Sequence, residues 1–469
     1  FGSSHVGSSA SYRRDGPGPR PMAMADTELP AQKRLRCSEP VFAQQAAEQD
    51  VLRVSVATLA GNSIGTWELE RSATVASVKG LIRDAAGVQP LRQRLVVGCR
   101  VLEEGELLGE VAGVSTQQLQ VCLVKQRLSR AVSGSADCAA RLWDVDSGSC
   151  TREFRGHADA VSYLAVDWSG ERLLTCSIEG GLCLWDASTG GLVREVRGAG
   201  RVGSRDSVAV HWPSGRALLG TMSGVLQLWS LECGGLETEL RRHGSCVDLV
   251  AADWASARAL SGSRDRTLRL WDLKSGRCAR VLKGHAGSVH CCAADWRSGR
   301  VLSGSSDRTL RLWGCGRGEP ARVFEGHGGS VQCVAVDWPS CRALSGARDG
   351  GLRLWDLATG RSLLEPPGHE GGVACLAVDW ASQRALSGGD DGSLKLYDLR
   401  GGAALRRLGG HLGGGLSLMA DWDAGRVLTA GADRVMRLWG LGLDEECQPL
   451  KEWLGHTEAV LCLAAEWAV

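Results

Sequence analysis

The sequence predicts an all-β repeat protein, a solenoid or a propeller, with a small α+β domain ahead of it. Three observations predict it. The stretch from Gly284 to Trp313 holds three short apolar runs, each closed by turn residues such as Arg297-Ser298-Gly299 and Ser305-Ser306-Asp307. Similar text recurs about every 42 residues over most of the chain, a period that belongs to repeat architectures. Between Val51 and Lys125 the pattern instead passes from alternation to helical spacing and back.

The totals exclude several classes. At 469 residues the chain exceeds one ordinary domain. With 54 basic against 53 acidic side chains, the net charge of +1 supplies no field to gather nucleic acid or an anionic membrane, and neither is expected as a partner. No run reaches the roughly 18 apolar residues that cross a bilayer, and no continuous apolar segment marks secretion. A soluble, cytoplasmic protein is expected, with the nucleus open to it. The 18 cysteines include Cys291, Cys333 and Cys375, placed 42 apart within apolar runs. They read as small, reduced, buried hydrophobes rather than as a disulfide framework.

Taken in order, residues 1–50 are rich in Gly, Ser, Pro and Ala and read as a disordered tail. Met22 or Met24 is the expected start, and Lys33-Arg34-Leu35-Arg36 reads as solvated charge more readily than as a nuclear address. From Val51 a hairpin forms: Leu52 to Val56 alternates, Leu59 to Asn62 turns, and Ile64 to Leu69 alternates again. Val75, Val78, Leu81 and Ile82 then fall at helical spacing, ending at Gly87, a natural cap. Strands follow at Gln93 to Val97 and Leu119 to Val124, so residues 51–125 form a ββαββ domain with the helix across one sheet face.

These residues resemble ubiquitin. The match rests on Thr58-Leu59-Ala60-Gly61, Val78-Lys79 with Ile82, Gly87-Val88 with Pro90, Gln93-Arg94-Leu95 and Leu102-Glu103-Glu104-Gly105. No diglycine tail ends the domain, because Val124-Lys125-Gln126-Arg127 runs on, so conjugation is not expected. The resemblance implies a recognition patch at Leu59, Val96 and Cys122; the plainer alternative is that these residues only complete a small fold.

Residues 127–469 carry the repeat. Strand-end aromatics stand at Trp143, Trp185, Trp229, Trp271, Trp313, Trp355, Tyr397 and Trp439, and a second ladder runs through Trp168, Trp212, Trp254, Trp296, Trp338, Trp380, Trp422 and Trp467. With Gly-His upstream and Trp-Asp downstream, the segment is similar to the WD-repeat β-propellers, whose blades are four-stranded antiparallel sheets. The resemblance implies a hydrogen-bonded set in each blade. The sets are His243, Ser261, Asp265 and Trp271; His285, Ser303, Asp307 and Trp313; His327, Ser345, Asp349 and Trp355; and His411, Thr429, Asp433 and Trp439. Tyr397 replaces Trp beside His369, Ser387 and Asp391, and Glu179 replaces Asp beside His157, Thr175 and Trp185. The third unit departs most, with Gly198-Ala199 for Gly-His and Leu219 and Ser223 at the polar positions.

Ser, His and Asp together suggest nucleophile, base and orienting acid, but a catalytic trio is needed once and this one recurs in unit after unit. Its expected role is structural, and no enzyme activity or cofactor is expected. A metal cluster of His285, His290, Cys291 and Cys292 is disfavoured, since alternation sends the two cysteines to opposite faces. Arg127 to Phe154 supplies only three strands and Ala459 to Trp467 only one. Counting therefore favours eight blades closed by the C-terminal strand, which would bring His456 to Ser133, Asp137 and Trp143, over seven blades with frayed ends.

The residue before the turn Asp falls near the rim of the family's binding face. Here it is Arg264, Ser306 and Arg348, with Arg266 and Arg308 just after the Asp. Two readings stand: a basic patch for an acidic or phosphorylated segment, or ordinary solvated charge. The expected function is a non-enzymatic scaffold for protein or peptide partners. The alternative is a ubiquitin-proteasome adaptor whose first domain docks on ubiquitin-system components while the propeller holds the client.

Overall fold

The computed structural model describes residues 51–467, apart from 59–61, 87–92, 99, 104, 114–115, 126–128, 197, 315, 317, 319, 415–416 and 443–447. The expected tail 1–50, the alternative starts, Leu59 and the cap Gly87 lie outside the described residues.

By compactness the chain divides into two units, with boundaries after Leu81, Leu95 and Cys122. Hydrogen bonding draws a simpler line. The first sheet comprises β1 (Val51–Thr58), β2 (Ser63–Glu70), β3 (Gln93–Val97), β4 (Arg100–Val101) and β5 (Gln118–Lys125), in the order β2-β1-β5-β3-β4. β1 and β2 are the antiparallel hairpin that the alternation requires, and β1 buries Leu52, Val54 and Val56. Helix α1 (Val75–Ala86) buries Val75, Val78 and Ile82, the positions set by helical spacing. β4 and a one-turn helix, α2 (Leu108–Ala112), are additions that the sequence pattern did not predict. Both are too short to show a period.

Among the described residues the second unit contains eight four-stranded sheets, every one of them antiparallel. The first sheet of this series pairs Arg130–Ser135, Ala139–Asp144 and Cys150–Arg155 with the C-terminal strand Val460–Glu466. Val460 lies opposite Ser135 and Glu466 opposite Arg130, so the two ends of the repeat share one sheet. The second to eighth sheets follow in chain order, spanning 161–196, 208–241, 247–283, 289–324, 331–364, 373–408 and 417–453.

Burial is graded across each sheet. In the fifth, the second strand Arg300–Ser305 is buried at all but its first residue, whereas the fourth strand Pro320–Phe324 alternates. Apolar clusters join each sheet to the next: Leu302 and Leu310 with Val331 and Trp355, for example, and Leu386 and Leu394 with Val427 and Trp439. The eighth sheet packs on the first through Leu428, Met436 and Trp453 against Trp143 and Val460. The first packs on the second through Val132 and Phe154 against Leu173 and Trp185. Close approach fixes one residue type. A Cβ on Gly304 would lie 2.6 Å from Val331 Cγ1 of the next sheet and 2.7 Å from Cys291 Sγ.

A chain truncated after Gly455 loses the Val460–Glu466 strand and leaves Arg130–Ser135 as an open edge. It should melt well below the full chain in a circular-dichroism scan; unchanged melting would show that this strand closes nothing.

Candidate functional site

The histidine loop, the second and third strands and the turn between them converge inside each sheet. In the fifth, the Trp313 indole N–H donates to Ser303 Oγ at 2.8 Å, Ser303 Oγ lies 2.8 Å from His285 Nε2, and His285 Nδ1 lies 2.7 Å from Asp307 Oδ2. With the carboxylate accepting from Nδ1–H, Nε2 is left to accept the serine proton, so every polar atom of the chain is used. Ser303 is fully buried and His285 is 6% exposed, which leaves the hydroxyl no access to a substrate. The geometry of a triad is present without the cleft that a triad needs.

The same relay forms around His243, His411 and His456, the last drawing Ser133, Asp137 and Trp143 into one set from opposite ends of the repeat. The exceptions follow from single residues. Tyr397 reaches further than an indole, and its hydroxyl donates to the Pro367 carbonyl at 3.1 Å while lying 3.4 Å from Ser387 Oγ. Glu179 does not join His157 and Thr175; it pairs with Arg201 at 3.0 Å on the surface. His327 keeps Ser345 at 2.7 Å, but Asp349 sits 3.6 Å from Nδ1, drawn to the Gly328 and Gly329 amides, and Nδ1 is left without a partner. In the third sheet Leu219 is buried and Ser223 turns to Thr221, so Trp229 donates instead to Gln227 Oε1 at 3.3 Å.

Burial holds the imidazoles of His157, His327, His369, His411 and His456 below their ordinary range. For Asp137, Asp265 and Asp307 burial alone would raise the carboxyl, but hydrogen bonds outweigh it and hold it well below the usual carboxylate range. They come from Arg141 and His456, from His243 and Thr267, and from His285 and Thr309 respectively.

The second tryptophan ladder has a partner that sequence reading missed. The guanidinium at the start of the second strand lies over the tryptophan of the next sheet: Arg130 over Trp168 at 4.9 Å, Arg172 over Trp212 at 5.2 Å, Arg300 over Trp338 at 5.0 Å and Arg426 over Trp467 at 5.4 Å. In the third sheet Arg216 bonds Glu237 instead, and the His211 ring stacks on Trp254 at 5.4 Å. The spacing of these arginines was readable as a signal; the stacking was not.

Of the expected rim residues, Arg264, Arg266, Ser306, Arg308 and Arg348 are all exposed. Arg264 is neutralised by the buried Asp248 at 2.9 Å, which the sequence reading had not anticipated. Arg266 and Arg308 hold positive φ of 70° and 68°. With Arg348, they have no side-chain partner among the described residues. Burial pushes the His290 imidazole down, and Arg348 and Arg264 add to this against the opposing pull of Asp248. The first strands of six sheets, with Asp206 from the turn ahead of the third, line a cavity of about 420 Å³ that includes Tyr163, Gln332, Cys292, Cys333 and Cys375. In the first unit, Val96 and Cys122 line one open depression of about 800 Å³; Leu59 lies outside the described residues. Among the described residues no cluster of His, Cys, Asp or Glu is arranged to hold a metal ion, and no helix is long and apolar enough to cross a membrane.

The repeated sheets and their buried relay support a β-propeller-like repeat fold. Residues 148–186, 235–272, 276–314, 318–356 and 360–398 match the family described as WD domain, G-beta repeat, and these matches support the WD-repeat family for that part of the chain. A solved structure of the computationally designed Ika8 protein is similar at 26% identity and a TM-score of 0.58, covering 66% of this chain and 92% of that one. WD repeats commonly mediate protein-protein scaffolding and are generally non-enzymatic.

Two outcomes follow. His285→Ala should cost about 1–3 kcal/mol in denaturant unfolding, and His327→Ala less, because its Nδ1 bond is already missing. Acidification should destabilise the fold. The unfolded imidazoles take up protons near 6.5 and the buried ones resist, so the melting temperature should fall as pH drops from about 7 to about 5. The low aspartates add a second loss below about 3.8.

Proposed function

We propose that the chain is a non-enzymatic interaction scaffold, its eight sheets forming the blades of one closed propeller that binds protein or peptide partners. One observation carries the reading: the Ser-His-Asp groups that could do chemistry are consumed inside the sheets, while the exposed residues beside them differ from sheet to sheet. Arg264, Ser306, Arg348 and Asp390 occupy one turn position in successive sheets. A fixed frame with variable rim residues suits recognition. Arg266, Arg308 and Arg348 are the charges free to meet an acidic or phosphorylated segment, since Arg264 is held by Asp248. No cofactor enters this reading.

A second reading has its own support. Val96 and Cys122 share one depression, and the hairpin, helix and returning strands of residues 51–125 are those that a ubiquitin-like domain requires. On this reading the first unit docks on ubiquitin-system components while the propeller holds a client.

Cross-linking mass spectrometry on the full chain separates the two. Arg266→Glu with Arg308→Glu and Arg348→Glu should release propeller-bound partners while melting is unchanged. Val96→Asp should release partners of the ubiquitin system alone. A partner set that neither change alters would sink both readings.

A further inference from the structure

On the outer half of the sheets, the residue two positions before the strand-end aromatic faces the fourth strand. The pairs are Arg141 with Glu153, Cys183 with Glu195, Gln227 with Glu239 and Arg437 with Glu452, and Arg353 reaches Glu365. An acidic residue thus meets the arginine in the first, sixth and eighth sheets, whereas in the fifth Val323 lies opposite Arg311. In the fourth sheet the residue opposite Arg269 is Val281. The contacts that remain to Arg269 point inward, Nε to His243 Nδ1 at 3.3 Å and Nη2 to Asp265 Oδ2 at 4.0 Å.

A groove of about 750 Å³ opens where that carboxylate is missing, between the third and fourth sheets. It is lined by Arg241, Arg242, Arg269 and Arg277 against one acidic residue, Glu239. Glu239 is already engaged, accepting from Gln227 Nε2 at 3.1 Å and from Arg241 Nε at 2.8 Å. Arg242 and Arg277 are exposed and have no side-chain partner among the described residues. Arg242 and Arg277, without side-chain partners, thus share an open groove with Arg241 and Arg269 where an aliphatic side chain stands opposite Arg269.

We propose that this groove binds an oxyanion side chain of a peptide, a phosphoserine, phosphothreonine or glutamate, which takes the place of the missing carboxylate opposite Arg269. Guanidinium forks suit either oxyanion, and Val281 offers an apolar floor to the rest of the segment. The one aromatic ring in the lining, Trp271, is 1% exposed, so no face is free for stacking a base, which favours a peptide over a nucleic acid. The site lies apart from the rim turns and stands whether or not those turns bind a partner.

Fluorescence anisotropy on the full chain tests it, with labelled short peptides of alternating glutamate and serine, of phosphoserine, and of glutamine and serine, and with a short single-stranded RNA. One or both anionic peptides should bind, more weakly as salt rises, and the neutral peptide should not. Val281→Glu restores the periodic acid and should lower affinity about tenfold or more, at unchanged or higher melting temperature. The same substitution at Val323, opposite Arg311 in the next sheet, should leave binding as it was. Arg242→Ala with Arg277→Ala should repeat the loss. Binding of neither anionic peptide, equal binding by Val281→Glu, or tighter binding of the RNA through these arginines would overturn the proposal. The phosphoserine and glutamate arms distinguish the source of the oxyanion.

Discussion

A buried indole N–H must be given an acceptor, and the whole second unit is arranged around that requirement. Trp313 is fully buried, and leaving its donor unmet would cost more than an ordinary hydrogen bond returns. Ser303 accepts it, His285 takes the serine proton, and Asp307 anchors the imidazole. The relay ties three parts of a sheet that are distant in sequence: the loop before its first strand, its second strand and the turn that follows. It sets the turn as well, because the same aspartate accepts from the backbone of Thr309 and Ala286. Positive φ at Arg308 is tolerated there because the turn is held from both sides.

The relay acts within sheets, and a different interaction acts between them. Each guanidinium over the neighbouring tryptophan lies at the end of a second strand that is itself buried, so it fixes spacing at the margin of an apolar interface. Arg130 shows what this costs where the two ends of the repeat meet. It stacks on Trp168 and bonds both Glu171 at 2.9 Å and Glu466 at 2.9 Å, one from the second sheet and one from the C-terminal strand. A buried cation held by two carboxylates is demanding to desolvate, but it is badly placed if either neighbour is absent. At the seam that the chain must close through its last strand, register therefore carries an electrostatic penalty for error in addition to the apolar one.

Much of this was legible in the sequence, because the relay uses residue types that rarely recur by chance at one spacing. Both aromatic ladders and the placing of the C-terminal strand beside Arg130–Ser135 follow from counting, and the histidine sets from the resemblance to WD repeats. What was not legible depends on contacts between positions that carry no joint signal. Asp248 lies on a first strand and Arg264 in a turn, and only pairing of the strands between them brings the charges together. Gln227 could not be identified as an indole acceptor, since it occupies a position held elsewhere by arginine, lysine or, in the second sheet, cysteine. Leu219 explains why it serves: with no hydroxyl on the second strand, the nearest polar group on the third strand takes over. Glu179 was expected to stand in for aspartate, yet its extra methylene carries the carboxylate to the surface and to Arg201.

The departures cluster in the third sheet. It lacks the histidine, uses Gln227 in place of a hydroxyl, and stacks His211 where arginine stacks in the first, second, fourth, fifth and eighth sheets. Each change frees a group that the repeat would have occupied. Arg216 is released to Glu237, and Gln227 reaches outward to Glu239, which in turn holds Arg241. The strand Leu236–Arg241 therefore meets the fourth sheet with both its glutamates engaged and with Arg241, followed by Arg242, lining the groove. A repeat that spends most of its polar groups on its own cohesion gathers charge between sheets where the pattern lapses. Here the lapse in one sheet's internal fastening and the loss of the next sheet's outer acid fall side by side.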